Sequence, residues 1–169
     1  MNRIFLIGYM GSGKSTIGKL LAAKLNYSFV DMDAYIEEKQ FKSVSQIFAE
    51  KGENEFRLLE QKCLHEVAEF EDVIISTGGG APCFFDNMEY MKLRGLTIYL
   101  DLTANELKDR LENSKANKRP LLANRKGAEL LEFISEGLSK REPFYLQAEV
   151  HIKNNSEEKI VEKILAIAT

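Results

Sequence analysis

The segment Gly8-Tyr9-Met10-Gly11-Ser12-Gly13-Lys14-Ser15 constrains this chain more than any other feature, because it reads GxxxxGK[ST]. The apolar run Arg3 to Ile7 precedes it and a helix-compatible stretch follows, so strand, loop and helix agree. Glycines let a backbone wrap an anion with its N–H groups turned inward. The helix that follows aims its positive end at the same place. Lys14 is expected to reach the β- and γ-phosphates of a nucleotide and Ser15 to ligate Mg2+, with Gly11, Ser12, Gly13 and Thr16 completing the cradle. Such a loop implies a nucleotide but does not specify a reaction.

Further short β-rich runs lie at Ser28 to Asp31, Val73 to Ser76, Thr97 to Leu100 and Glu149 to Ile152. Strands that are apolar almost throughout are buried on both faces, which requires a mostly parallel sheet. Helical stretches fill the gaps. The clearest runs from about Glu53 to Phe70, with Phe56, Leu59, Cys63, Val67 and Phe70 on one stripe, and another from about Glu157 to Ala168. The alternation predicts a three-layer α/β/α sandwich around a central five-stranded parallel sheet, and with the glycine loop this resembles the P-loop NTPase fold of nucleoside monophosphate kinase type. The 169 residues fit a single domain, 1–169. Two connections exceed a simple crossover: a flap over about 33–61, and a segment over about 115–124 that carries Lys115, Lys118 and Arg119 and no acid. Long excursions from a compact sheet commonly serve as lids or binding flaps.

The net charge of −3 argues against a nucleic-acid or membrane surface, so anionic ligands have to be held by local Arg and Lys clusters. Cys63, Cys83, His65 and His151 are too few and too scattered for a zinc site or a disulfide framework, and Cys63 reads as a core residue. No apolar run approaches the roughly 18 residues of a membrane helix. The opening run is too short for a signal sequence, so the cytoplasm is expected.

The second strand ends in Asp31-Met32-Asp33. Ligands bind at the carboxyl ends of parallel strands, and residues two apart on a strand share a face. One carboxylate then suits Mg2+ through water, and the other suits the proton of an attacking hydroxyl. Asp33 also fits the N-cap of a helix from Ala34, and the two readings are compatible. Asp101, after the apolar Thr97 to Leu100, resembles a metal carboxylate but is read as the cap of a helix from Ala104. Arg57 and Glu60 share a helix face, and by themselves would be a surface pair of little worth. Gly78-Gly79-Gly80 follow the third strand and suit close approach of backbone to ligand, or a flexible turn. Arg141, before Pro143, is by itself an ordinary solvated arginine.

Together the pieces GYMGSGKS at 8–15, DMD at 31–33, Phe56-Arg57 with Glu60, STGGG at 76–80, KRPLL at 118–122 and REPFY at 141–145 resemble the shikimate kinase family in order and spacing. The resemblance implies ATP-dependent phosphorylation of the 3-hydroxyl of shikimate, with Mg2+, on the way to aromatic amino acids. It implies that Asp33 holds the substrate hydroxyls and acts as base, and that Asp31 assists Mg2+ through water. Arg57 and Arg141 would grip the carboxylate, with Gly79 and Gly80 lining the site, Glu60 orienting an arginine, and Phe48 and Phe56 walling the ring. Arg119 would be the lid arginine and Arg110 the adenine-stacking one. A monomer acting on small molecules is expected. No nucleotide contact is assignable in Lys153-Asn154-Asn155-Ser156. Gluconate and nucleoside monophosphate kinases are the nearest rivals. A GTPase-like switch is disfavoured, since the chain has no DxxG and Asn117-Lys118-Arg119-Pro120 lacks the Asp of NKxD.

Overall fold

The computed structural model describes residues 2–113 and 125–169. The 115–124 segment, and Arg119 with it, lies outside the described residues.

The strands are β1 (Arg3–Ile7), β2 (Ser28–Asp31), β3 (Val73–Ser76), β4 (Leu96–Asp101) and β5 (Val150–Lys153). They form one parallel sheet in the order β2-β3-β1-β4-β5. The predicted strands recur to within one residue at each end. β3 is buried along its whole length and β1 along all but its first residue, as their unbroken apolar character requires. The helices are α1 (Lys14–Leu25), α2 (Met32–Gln40), α3 (Val44–Val67), α4 (Asn87–Arg94), α5 (Ala104–Asn113), α6 (Gly127–Tyr145) and α7 (Glu157–Ala168).

Register aligns the strand ends that matter. Leu6 pairs with Ser76, and Ser76 pairs with Asp31, so β1, β2 and β3 finish at one level. The glycine loop, α2 and the Gly78–Gly80 segment therefore leave the sheet side by side. Thr77 fastens two of them together, with its N–H and its hydroxyl both donating to Leu6 O at 3.1 and 3.0 Å.

Four local expectations need correction. The helix predicted from Glu53 does start there, but it continues a helical stretch from Val44 that opens behind a capping box in which Ser43 and Gln46 satisfy each other's backbone donors. Gly52, at φ 82° and ψ 172°, breaks it, so Glu53 marks the start of its second half. That half ends at Val67, and Phe70 is 42% exposed, beyond the core stripe. Asp31, not Asp33, caps α2, accepting from Asp33 N at 3.0 Å and Ala34 N at 3.3 Å, because the strand stops at Asp31 and Asp33 is already helical. The shared-strand-face argument for the pair fails for the same reason. Asp101 does not cap α5. Thr103 does, in a reciprocal pair with Glu106, while Asp101 accepts from Lys153 Nζ at 2.7 Å. Arg141-Glu142-Pro143-Phe144-Tyr145 is the last stretch of α6, with Pro143 tolerated inside the helix.

Candidate active site

The glycine loop joins β1 to α1. Gly11 (φ 81°) and Gly13 (φ 100°) lie in the left-handed region that L side chains avoid, and this turns the loop back on itself. Lys14 opens α1 and is 9% exposed. Its ammonium donates to Gly8 O at 2.7 Å and Tyr9 O at 3.1 Å, which holds it over the loop. Ser12 Oγ is buried and has no partner among the described residues. Arg110, from α5, donates through Nε to Gly11 O at 2.8 Å, and its guanidinium packs against Gly13. α5 thus backs the loop through Arg110.

Ser15 Oγ donates to Asp31 Oδ2 at 2.9 Å, while Asp31 Oδ1 caps α2. A hydroxyl and a carboxylate, both hard oxygen donors, thus meet beside the phosphate loop. This donor set fits Mg2+, which favours oxygen ligands and retains water.

The Gly78–Gly80 segment gathers the remaining charged groups. A β-carbon on Gly78 would stand 3.0 Å from Glu60 Oε2 and 3.1 Å from Asp33 Oδ1. One on Gly79 would stand 3.0 Å from Arg141 Nη1 and 3.6 Å from Met10 N of the glycine loop. One on Gly80 would overlap the Arg57 guanidinium, 2.6 Å from Nη2. Close approach of the chain's own charged side chains to the backbone is what these glycines permit. Asp33, Arg57, Glu60 and Arg141, drawn from α2, α3 and α6, therefore surround one segment that itself touches the phosphate loop.

Arg57 and Glu60 are not a surface pair. They are 8% and 1% exposed, and Arg57 Nη1 donates to Glu60 Oε1 at 2.9 Å. Burial pushes the Glu60 carboxyl above its ordinary range, and Arg57 opposes the shift. The Phe48 and Phe56 rings lie 4.5 Å apart, centroid to centroid, and both flank the Arg57 guanidinium. Arg141 is likewise not merely solvated, since its guanidinium lies 5.6 Å from the Tyr9 ring.

Sequence reasoning missed three contributors. Tyr145 is fully buried and its hydroxyl donates to Gly79 O, which fixes the glycine segment to the end of α6. It stands in the REPFY stretch, where an aromatic one helical turn after Arg141 was the available signal. Tyr9 occupies a variable position of the loop motif, and Phe84 follows no motif at all. Cys83 also borders this region; burial pushes its thiol up to about 11, so it stays protonated at neutral pH.

The shikimate kinase family model matches residues 10–169. The chain belongs to the shikimate kinase family. A shikimate kinase of Parabacteroides distasonis is 59% identical over 150 residues, covering 89% of this chain and 86% of its own length. The crystal structure of shikimate kinase from Bacteroides thetaiotaomicron superposes with a TM-score of 0.93 at 48% identity, covering 98% of this chain and 97% of that one. Shikimate kinase from Acinetobacter baumannii, solved in complex with shikimate, gives 0.88 at 32% identity, covering 99% and 93%. Membership makes the chain a phosphotransferase that uses a nucleotide, and the P-loop fold is the expected one. Among the described residues no helix is long and apolar enough to cross a membrane.

Proposed function

We propose that this chain transfers the γ-phosphoryl group of Mg-ATP to the 3-hydroxyl of shikimate, giving shikimate 3-phosphate and ADP. What carries this reading is the convergence of two carboxylates and two arginines on Gly78–Gly80, in contact with the phosphate loop. A hydroxylated ring acid needs that combination: arginines for its carboxylate and carboxylates for its hydroxyls. A nucleotide acceptor would instead call for arginines aimed at a phosphate and a slot for a base.

In this mechanism Arg57 and Arg141 hold the acceptor's carboxylate, with Glu60 fixing Arg57. Phe48 and Phe56 wall the ring, and Gly79 and Gly80 leave room for it. Asp33 orients the hydroxyl and takes its proton as the oxygen bonds to the γ-phosphorus. The bond from that phosphorus to the β–γ bridging oxygen breaks, and its electrons leave with ADP. Lys14 and the loop N–H groups of Gly11, Ser12, Gly13, Ser15 and Thr16 hold the phosphates, while Arg110 flanks the nucleotide side. Ser15, and Asp31 through water, would hold Mg2+, which would supply neutralisation of the negative charge of the transferring phosphoryl group. Arg119 is assigned from the family resemblance as the arginine of a lid that excludes water from the transfer. The same reading takes the protein as a single-domain cytoplasmic monomer with no nucleic-acid or membrane partner.

A coupled ADP-release assay with shikimate, gluconate and AMP as acceptors tests it. Turnover with shikimate alone is the expected result, with phosphorus NMR placing the phosphate on the 3-oxygen. No turnover with shikimate rejects the proposal.

A further inference from the structure

We infer that Phe84 is a positioning residue for Arg57, its ring fixing the guanidinium in the orientation that receives the acceptor's carboxylate. The inference rests on Arg57 being a carboxylate grip, as proposed above. The guanidinium carbon lies 4.2 Å from the Phe84 centroid, against 5.3 Å for Phe56 and 5.9 Å for Phe48. The nearest ring thus comes from the chain that follows the Gly78–Gly80 segment, not from the helix that carries Arg57.

The backbone is built to deliver it. Phe84 is extended (φ −119°, ψ 145°) directly after the short turn Ala81–Cys83. The next residue, Phe85, takes a left-handed φ of 52° and is 55% exposed, so one ring turns in and the other out. Asn87, fully buried, braces the turn, with Nδ2 donating to Ala81 O at 2.9 Å and its N–H to Phe84 O at 3.2 Å.

The chemistry explains why a ring suits this place. Arg57 is held at its fork by Glu60 at 2.9 Å and by Glu53 at 3.5 Å, while its Nε is buried and has no partner among the described residues. A further carboxylate against the guanidinium would add negative charge where the acceptor's acid group has to bind and would occupy another of its donors. An aromatic face attracts the cation, replaces part of its lost hydration, and uses none of its in-plane N–H donors. A guanidinium held over a ring also has less freedom to turn, so its unused donors stay aimed in one direction.

Four variants test this: Phe84→Leu, which keeps bulk and removes the ring; Phe84→Tyr, which keeps the ring; Arg57→Ala; and Phe84→Leu combined with Arg57→Ala. Phe84→Leu is expected to raise KM for shikimate about tenfold while kcat and KM for ATP stay within about twofold, the scale of a desolvated cation–π contact. Phe84→Tyr is expected to restore KM, and Phe84→Leu to add nothing once Arg57 is gone. A wild-type KM in Phe84→Leu, or an equal rise with and without Arg57, would mean the ring only fills space and overturns the inference. If Arg57→Ala leaves KM for shikimate unchanged, the grip reading itself falls and the inference with it. A large effect of Arg57→Ala beside a silent Phe84→Leu leaves the grip standing and removes Phe84 alone.

Discussion

Asp33 and Glu60 approach the same glycine, yet their surroundings assign them different work. Asp33 sits in the first turn of α2, one oxygen facing Gly78 beside the phosphate loop. In the proposed mechanism Asp33 accepts the proton; Asp33→Asn keeps its shape without that capacity, so kcat is expected to fall about 10²- to 10⁴-fold with ATP affinity little changed. Steady-state kinetics with calorimetric nucleotide binding measures both, and wild-type turnover would remove Asp33 from the mechanism. Glu60 is buried against Arg57, and burial holds its carboxyl above the ordinary range. A raised carboxyl means the fold binds its proton more tightly than the unfolded chain does. That contribution to stability is fully present below the ordinary carboxylate value and is lost as pH rises through the raised one. Glu60→Gln is neutral throughout, so its stability relative to wild type is expected to improve as pH rises from about 4 to about 7, the span above the ordinary carboxylate value. Urea denaturation across that range reads the trend, and a gap that moves the other way contradicts it. The i, i+3 spacing placed Arg57 and Glu60 side by side, but their burial was not visible in the sequence, where the spacing described an exposed pair equally well.

Among the elements, α3 is the one that carries both Arg57 and Glu60. Its two halves meet at Gly52, whose φ of 82° and ψ of 172° fall in a region essentially restricted to glycine. A β-carbon there would meet nothing within 4 Å, so replacing it strains only the backbone. Gly52→Ala is expected to cost about 1–3 kcal/mol of stability. It should also raise KM for shikimate, because Arg57 stands just beyond the break. Denaturant titration and kinetics on the same variant check the pair, and unchanged stability would show that the break is not glycine-dependent. Spacing located the second half of this helix well, since its apolar stripe is local. The first half carries only a short stripe, Val44, Ile47 and Phe48, and its start at Val44 follows the Ser43 capping box. Helix caps were the weakest part of the sequence reading. Asp31 and Thr103 do what Asp33 and Asp101 were expected to do, because a cap depends on where the preceding strand releases the chain.

In the whole molecule, Asp33, Arg57 and Arg141 gather around Gly78–Gly80 only once the sheet has brought their segments together, so under the proposed function ligand binding and global folding are linked. Shikimate at about 100 times its dissociation constant should add about 2.7 kcal/mol to stability. At the same concentration the increment should shrink in Arg141→Ala; no increment in wild type would separate this cluster from shikimate binding. The amino-acid order by itself determined the parallel sheet, the phosphate loop and the set of charged residues, because apolar runs, glycine spacing and helical periodicity are local properties. Tertiary structure alone decided that Arg57 and Glu60 are buried, which aspartate caps α2, and that Tyr145 fastens Gly79 across 66 residues of chain. Phe84 over Arg57 belongs with these. Such contacts join residues remote in sequence, and their energies come from desolvation and packing that arise only when distant segments close over one another.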